Sequence, residues 1–350
     1  TFAPKFTIMR KLLLSVTVLA VLFTSCKDKL EKKDKTLSEM QNEDENPNNY
    51  VPVLSTASES PVYKKINDTV DMHLNIYYPE KHKKQDPTPV IIYFFGGAFL
   101  HGSPAQYEQH CQYFASRGIV AISADYRVIS RNKGNALNCI YDAKSAIRYV
   151  REHAEDLNID PNKIVVGGGS AGGFLALQLA MNDSKWQDPS DNAATSCVPN
   201  AMVLLNPVVN SMEHDFRIVK FKDNEADSNS LSHASEVNPL TTIKTGMPPA
   251  VVFHGTADKI SGYEFVAQYC ADYEKAGNTI TLNTYEKMKH GFTAPKFQNG
   301  KYYRESLRKT DEFLISLGYL TGAPNVPEPD PKDMPKENQK PKAQKKNKPE

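Results

Sequence analysis

The stretch KIVVGGGSAGGFLALQLA, residues 163–180, decides how the rest of the chain reads. Lys163 to Val166 has the apolar, β-branched character of a strand buried on both faces. Ser170 to Met181 has the composition of a buried helix. Between them Gly168-Gly169-Ser170-Ala171-Gly172 matches G-x-S-x-G. On its own the pattern can be a glycine-rich turn that packs a helix onto a sheet. With a strand directly before it and a helix directly after, it has the context of a nucleophile elbow, a sharp turn that holds a serine in a strained conformation with its hydroxyl exposed. Gly168 and Gly172 leave room for such a turn, and the helix N-terminus at Ala171 supplies backbone donors and a field that favours negative charge. No lysine stands where a phosphate-binding loop needs one, so a nucleotide site is the weaker reading.

Outward from this stretch, strand-like and helix-like segments alternate. Strands are predicted at Val90–Phe95, Ile119–Ser123, Lys163–Val166, Ala201–Leu205, Ala250–Phe253 and Thr279–Tyr285. Helices are predicted at Pro104–Arg117, Asn138–Glu155, Ser170–Met181, Ser261–Lys275 and Tyr302–Leu317. VIIYFF at 90–95 is a continuous apolar run, and Ile140, Ala143, Ile147 and Val150 fall on one helix face. Gly118 stops the first helix. Repeated alternation implies right-handed parallel crossovers, hence an α/β fold: a central, mostly parallel sheet of about eight strands with helices on both faces. Ligands bind such sheets at the C-terminal ends of the strands.

Three further segments fall at such ends. Phe95-Gly96-Gly97-Ala98-Phe99 follows VIIYFF, and its small residues let backbone amides approach a ligand, although a plain turn would look the same. His254-Gly255-Thr256-Ala257-Asp258 follows AVVF, and His290-Gly291-Phe292 lies between TLNTY and the last helix. In chain order, Ser170, Asp258 and His290 fit nucleophile, orienting carboxylate and general base. His254 reads as structural. His73, His101, His110, His153, His214 and His233 have no companion at metal-ligand spacing, so no metal site is expected. Asp125-Tyr126-Arg127 ends a strand as structural support, and Asn206-Pro207 either lines the site or simply terminates a strand.

The chain has 350 residues, with 42 basic and 41 acidic side chains and a net charge of +1, a balance that gives no reason to expect nucleic acid. Residues 1–26 read as an export signal: Arg10 and Lys11 are followed by the apolar run Leu12 to Phe23, too short to span a bilayer comfortably. Met9 is the expected start. Thr24-Ser25-Cys26 resembles a bacterial lipoprotein signal with Cys26 lipidated; a plain secretory signal is the alternative. The expected location is therefore outside the cytoplasm. Cys26 would be the only membrane attachment, at the outer membrane or cell surface; without it the protein would be periplasmic or secreted. Residues 27–60 read as a flexible tether, 61–322 as the folded domain, and 323–350 as a disordered Pro- and Lys-rich tail. Cys111, Cys139, Cys197 and Cys270 do not make a disulfide scaffold.

Taken together, ASRGIVAISADYR (115–127), DAKSAIRYVREHAEDLNIDPNKI (142–164), PPAVVFHGTAD (248–258) and KHGF (289–292) resemble one group. It is the bacterial α/β-hydrolase esterases related to hormone-sensitive lipase, which includes acetyl esterases and xylan-acting carbohydrate esterases. The resemblance spans roughly residues 65–320. It implies an α/β-hydrolase fold and puts the 95–99 loop in the place of the family's HGGG oxyanion loop. The oxyanion donors are then the amides of Gly97, Ala98 and Ala171, with Gly96 in support. Phe95 stands for the usual His, and Ala98 for a third Gly, which narrows the site. The implied activity is a cofactor-free serine carboxylic-ester hydrolase for short acyl groups. Its implied partner is a small-molecule or polysaccharide ester, with acetyl on carbohydrate favoured. Residues 209–247 carry Glu213, Asp215, Asp223, Glu225 and Asp227, unlike the greasy lid of an interfacial lipase. Alternatives are a prolyl-oligopeptidase-type peptidase, a feruloyl esterase and, outside enzymes, a non-catalytic binding lipoprotein.

Overall fold

The computed structural model describes residues 57–327 except 81, 83–85, 183 and 213–229. The signal with Cys26, nearly all of the tether, most of the tail and the five insertion carboxylates lie outside the described residues.

Among the described residues eight strands form one sheet: β1 (Val62–Asn67), β2 (Val70–Tyr77), β3 (Thr88–Phe94), β4 (Val120–Ala124), β5 (Ile159–Gly169), β6 (Ala201–Leu205), β7 (Ala250–Gly255) and β8 (Ile280–Tyr285). Their order is β1-β2-β4-β3-β5-β6-β7-β8. β1 and β2 are antiparallel, as are β2 and β4, and every other neighbouring pair is parallel. Besides a single helical turn at Ile129–Asn132, the α-helices among the described residues are α1 (Glu108–Ser116), α2 (Ala136–Glu152), α3 (Ala171–Met181), α4 (Ser230–Glu236), α5 (Tyr263–Lys275) and α6 (Lys301–Ser316).

β4 and β6 are buried at every residue and β3 at all but one, because helices cover both faces of the sheet. α3 is buried along its whole length, which is why its sequence is apolar all round instead of striped. Each large apolar side chain buried in this way stabilises the fold by ~1.5–3 kcal/mol.

The structure differs from the sequence expectation in instructive places. The β1–β2 hairpin is an addition. β2 alternates, burying Met72, Leu74 and Ile76 while its other face stays partly open, so it lacks the continuous apolar run that marks β3. Its turn is fixed by Asn67, whose Oδ1 accepts from the Thr69 amide at 2.9 Å. The segment expected as one helix over 104–117 is a 3-10 turn, Pro104–Tyr107, followed by α1. α2 begins at Ala136 rather than Asn138, because Asn135 and Asn138 form a reciprocal capping box. Ser170 is outside α3, and α5 starts at Tyr263 rather than Ser261, because the Ser261 amide is held by the Asp258 carboxylate at 3.0 Å.

Candidate active site

β5 delivers Ser170 at its C-terminal end with φ 53° and ψ −116°, a conformation that is costly for a residue with a Cβ. The turn holds because the backbone is crowded against its neighbours. A Cβ on Gly168 would lie 2.5 Å from Gly172 C, and one on Gly172 would run into the Phe94 carbonyl. Ser170 N–H donates to Leu205 O (3.0 Å), and Val208 N–H donates to Ser170 O (3.3 Å). The corner after β6 therefore grips the elbow from the side.

Asp258 follows β7 and His290 follows β8, and adjacent parallel strands bring both to the same edge as Ser170. His290 Nδ1 lies 2.7 Å from Asp258 Oδ2, and His290 Nε2 lies 2.9 Å from Ser170 Oγ. A carboxylate only accepts, so Nδ1 carries the proton, Nε2 presents its lone pair, and the Ser170 hydroxyl donates to it. The Asp258 side chain is fully buried and that of His290 is 10% exposed. Asp258 Oδ1 also accepts from the amides of Ile260 (2.9 Å) and Ser261 (3.0 Å). Burial by itself would raise the Asp258 carboxyl, but the His290 hydrogen bond and charge, with His254 and the Ser261 amide, hold it below its ordinary value.

His254 is completely buried. Its Nε2 lies 2.8 Å from Ser261 O and 3.5 Å from Asp258 Oδ2. Burial holds its imidazole below the ordinary value although Asp258 pulls the other way. It is therefore neutral near pH 7, donates through Nε2 and packs the acid loop.

The loop after β3 lies against the elbow: a Cβ on Gly96 would sit 3.4 Å from Ser170 Cβ. Gly97, Ala98 and Phe99 have φ of 130°, 56° and 63°. Among the described residues no acceptor takes the amides of Gly97, Ala98 or Ala171. The Gly96 amide is occupied, donating to Gln106 Oε1 at 2.5 Å. Phe95 is stacked on Tyr126 with ring centroids 4.0 Å apart, and Tyr126 Oη donates to Phe95 O at 2.7 Å. That aromatic clamp supports the loop where the resembling esterases carry histidine.

Several further residues hold this arrangement, of which the sequence offered only Asn206, as either a site-lining residue or a strand terminator. Gln106 orders the loop, and the Tyr107 hydroxyl is hydrogen-bonded to the Gly169 backbone. Ser261 Oγ donates to Pro207 O at 2.6 Å, tying the acid loop to the corner that grips Ser170. Asn206 occupies that corner, with Nδ2 3.5 Å from His290 Nε2. Their only sequence signal is nearness to a motif. Among the described residues no cluster of three or more His, Cys, Asp or Glu side chains could hold a metal. A surface groove of about 700 Å³ lies apart from the site, between α1 and α6, lined by Gln109, Gln112, Tyr303 and Arg304 among others, and contains none of Ser170, Asp258 or His290.

The sheet order, the chain order of the three groups and their place at the strand ends are together those of the α/β-hydrolase class. Residues 74–267, more than half of the chain, match the BD-FAE family, and the chain belongs to that family. Esterase LipC of Mycobacterium tuberculosis is 30% identical over 182 residues, 49% of this chain and 45% of LipC. The chain thus spans under half the length of that relative. Carboxylesterase NlhH of the same organism is 25% identical over 233 residues, 63% of this chain and 71% of NlhH. Thermogutta terrifontis esterase 2, in a form phosphoramylated by tabun, is 39% identical and superposes with a TM-score of 0.71, covering 78% of this chain and 99% of that one. The same esterase has been solved with propionate and with butyrate bound. Each of these relatives is named as an esterase or carboxylesterase.

Proposed function

We propose that the protein hydrolyses soluble short-acyl esters, with acetyl groups on carbohydrate as the favoured substrate, through an acyl-enzyme on Ser170. The observation that carries the chemistry is the continuous line from Ser170 Oγ through His290 to Asp258, with contacts of 2.9 and 2.7 Å. His290 Nε2 takes the hydroxyl proton as Oγ attacks the carbonyl carbon. Asp258 holds the ring tautomer and stabilises the imidazolium that forms. The oxyanion is received by the amides of Gly97, Ala98 and Ala171, each donor worth ~3 kcal/mol at the transition state. His290 then protonates the leaving alcohol, and water reverses the sequence to release the acid. The propionate and butyrate seen in the Thermogutta esterase support a small acyl site. The carbohydrate alcohol rests on the resemblance of the sequence motifs alone.

A substrate panel tests this reading: nitrophenyl acetate, butyrate and octanoate, acetylated xylan, a feruloyl ester and a prolyl amide. The expected result is turnover of the short nitrophenyl esters and acetylated xylan that disappears in Ser170→Ala. A rate that climbs with chain length, or preference for the feruloyl ester or the amide, would contradict it.

A further inference from the structure

Asn206 follows β6 directly, at φ +40°, in the left-handed region that asparagine enters more readily than most side chains. Its amide donates to Phe253 O at 2.8 Å, and its neighbours Leu205 and Val208 both bond to Ser170. Its backbone is thus fixed beside the elbow. The residue is 4% exposed, and Nδ2 lies 3.5 Å from His290 Nε2, the nitrogen that also meets Ser170 Oγ at 2.9 Å. Among the described residues no donor reaches Asn206 Oδ1.

A 3.5 Å approach is too long for a firm hydrogen bond, and in the resting protein Nε2 already receives the Ser170 proton. The side chain is held beside Nε2 by its backbone bonds and not by that contact, so it is placed to meet another group there. When Ser170 carries an acyl group, Oγ has no proton to give, and the donor to Nε2 must be the attacking water. A water within hydrogen-bond distance of Nε2 is also within reach of the Asn206 side chain.

We propose that Asn206 is a positioning residue for the hydrolytic water of the second half-reaction. The inference rests on the ester-hydrolase reading above. Water gives one proton to His290 Nε2 and its oxygen accepts from Asn206 Nδ2–H, which leaves its second lone pair for the acyl carbon. The new C–O bond forms as that proton moves to Nε2. The C–Oγ bond then breaks as Nε2 returns the proton to Ser170, and the acid leaves. Acylation does not need this contact, because Ser170 is itself the donor in that step.

The test is stopped-flow and steady-state hydrolysis of nitrophenyl butyrate by the wild type, Ser170→Ala, Asn206→Gly and Asn206→Ser, with thermal melts of each. Glycine keeps the left-handed backbone while removing the amide; Asn206→Ser is read in its place if the glycine variant does not fold. The expected outcome is a kcat about tenfold lower, a kcat/KM within about twofold, a KM that falls in step, and a nitrophenol burst approaching one per protein. Equal losses in kcat and kcat/KM, or no change in either, would overturn the proposal while leaving the ester-hydrolase reading intact. Absence of Ser170-dependent hydrolysis in the wild type would overturn both.

Discussion

At Asp258 a buried carboxylate is kept ionised by what surrounds it. Two backbone amides and His290 Nδ1 all donate to it. The second histidine beside it, His254, is held neutral by burial, so it adds a dipole and no competing charge. Asp258→Asn preserves shape but places an amide where Nδ1–H needs an acceptor, which allows the ring to take the other tautomer. The variant is expected to lose about 10³-fold or more in kcat with little change in KM, measured on nitrophenyl acetate. A loss smaller than about tenfold would assign the orienting role to another group. The three residues could be named in the sequence because each sits in a short pattern at a strand end. Gln106 and Ser261 could not, and Asn206 could be read only as either a site-lining residue or a strand terminator, since a single polar side chain carries no pattern and its meaning comes from the group it faces.

Between elements, the edge hairpin is attached to the body by charge. Asp142 on α2 is fully buried and contacts Lys64 of β1 at 3.0 Å and Arg127, after β4, at 2.7 Å. Lys64 also reaches Asp188 at 2.7 Å and Ser145 at 3.0 Å, so the loop after α3 joins the same network. Removing the central anion takes from Arg127 its two-pronged carboxylate partner and leaves Lys64 with Asp188 alone. Asp142→Ala is expected to destabilise the fold by about 3 kcal/mol or more, seen as a lower urea midpoint with an unchanged m-value. A midpoint within ~0.5 kcal/mol of wild type would show that Lys64 and Arg127 re-solvate freely. The parallel strands β3 to β7 could be read from their apolar runs. The hairpin could not, because β1 and β2 are half-buried, and Lys64 of β1 is explained only by Asp142 of α2, which it meets across the chain.

For the molecule as a whole, acid stability should be governed in part by His110 on α1. It is enclosed by Tyr93, Tyr107 and Tyr303, and among the described residues neither ring nitrogen has a partner. Burial lowers its imidazole to about 3. The folded state therefore stays unprotonated there while the unfolded chain takes a proton below about pH 6.5, so stability is full above that value and falls as pH drops towards 3. At pH 5 the loss from this residue is about 2 kcal/mol. His110→Phe removes the titrating group in an already aromatic box, and the decline between pH 7 and pH 5 should shrink by that amount in chemical unfolding. An identical pH slope in both proteins would place the acid sensitivity elsewhere.

Residue order alone sets the class of fold and names Ser170, Asp258 and His290, the three side chains that stand in one hydrogen-bonded line. Alternating apolar strands and helices leave one way to bury both faces of a sheet. A G-x-S-x-G between strand and helix, an Asp after a late strand and a His before the last helix are each local statements, complete within a few residues. Only the tertiary structure decided which further side chains join them. Strands β5, β6, β7 and β8 lie side by side. That adjacency is what sets Asn206 beside His290 and Ser261 against Pro207. These pairings join segments far apart in the chain, so they come from the lateral order of strands, a consequence of global packing that no local pattern encodes.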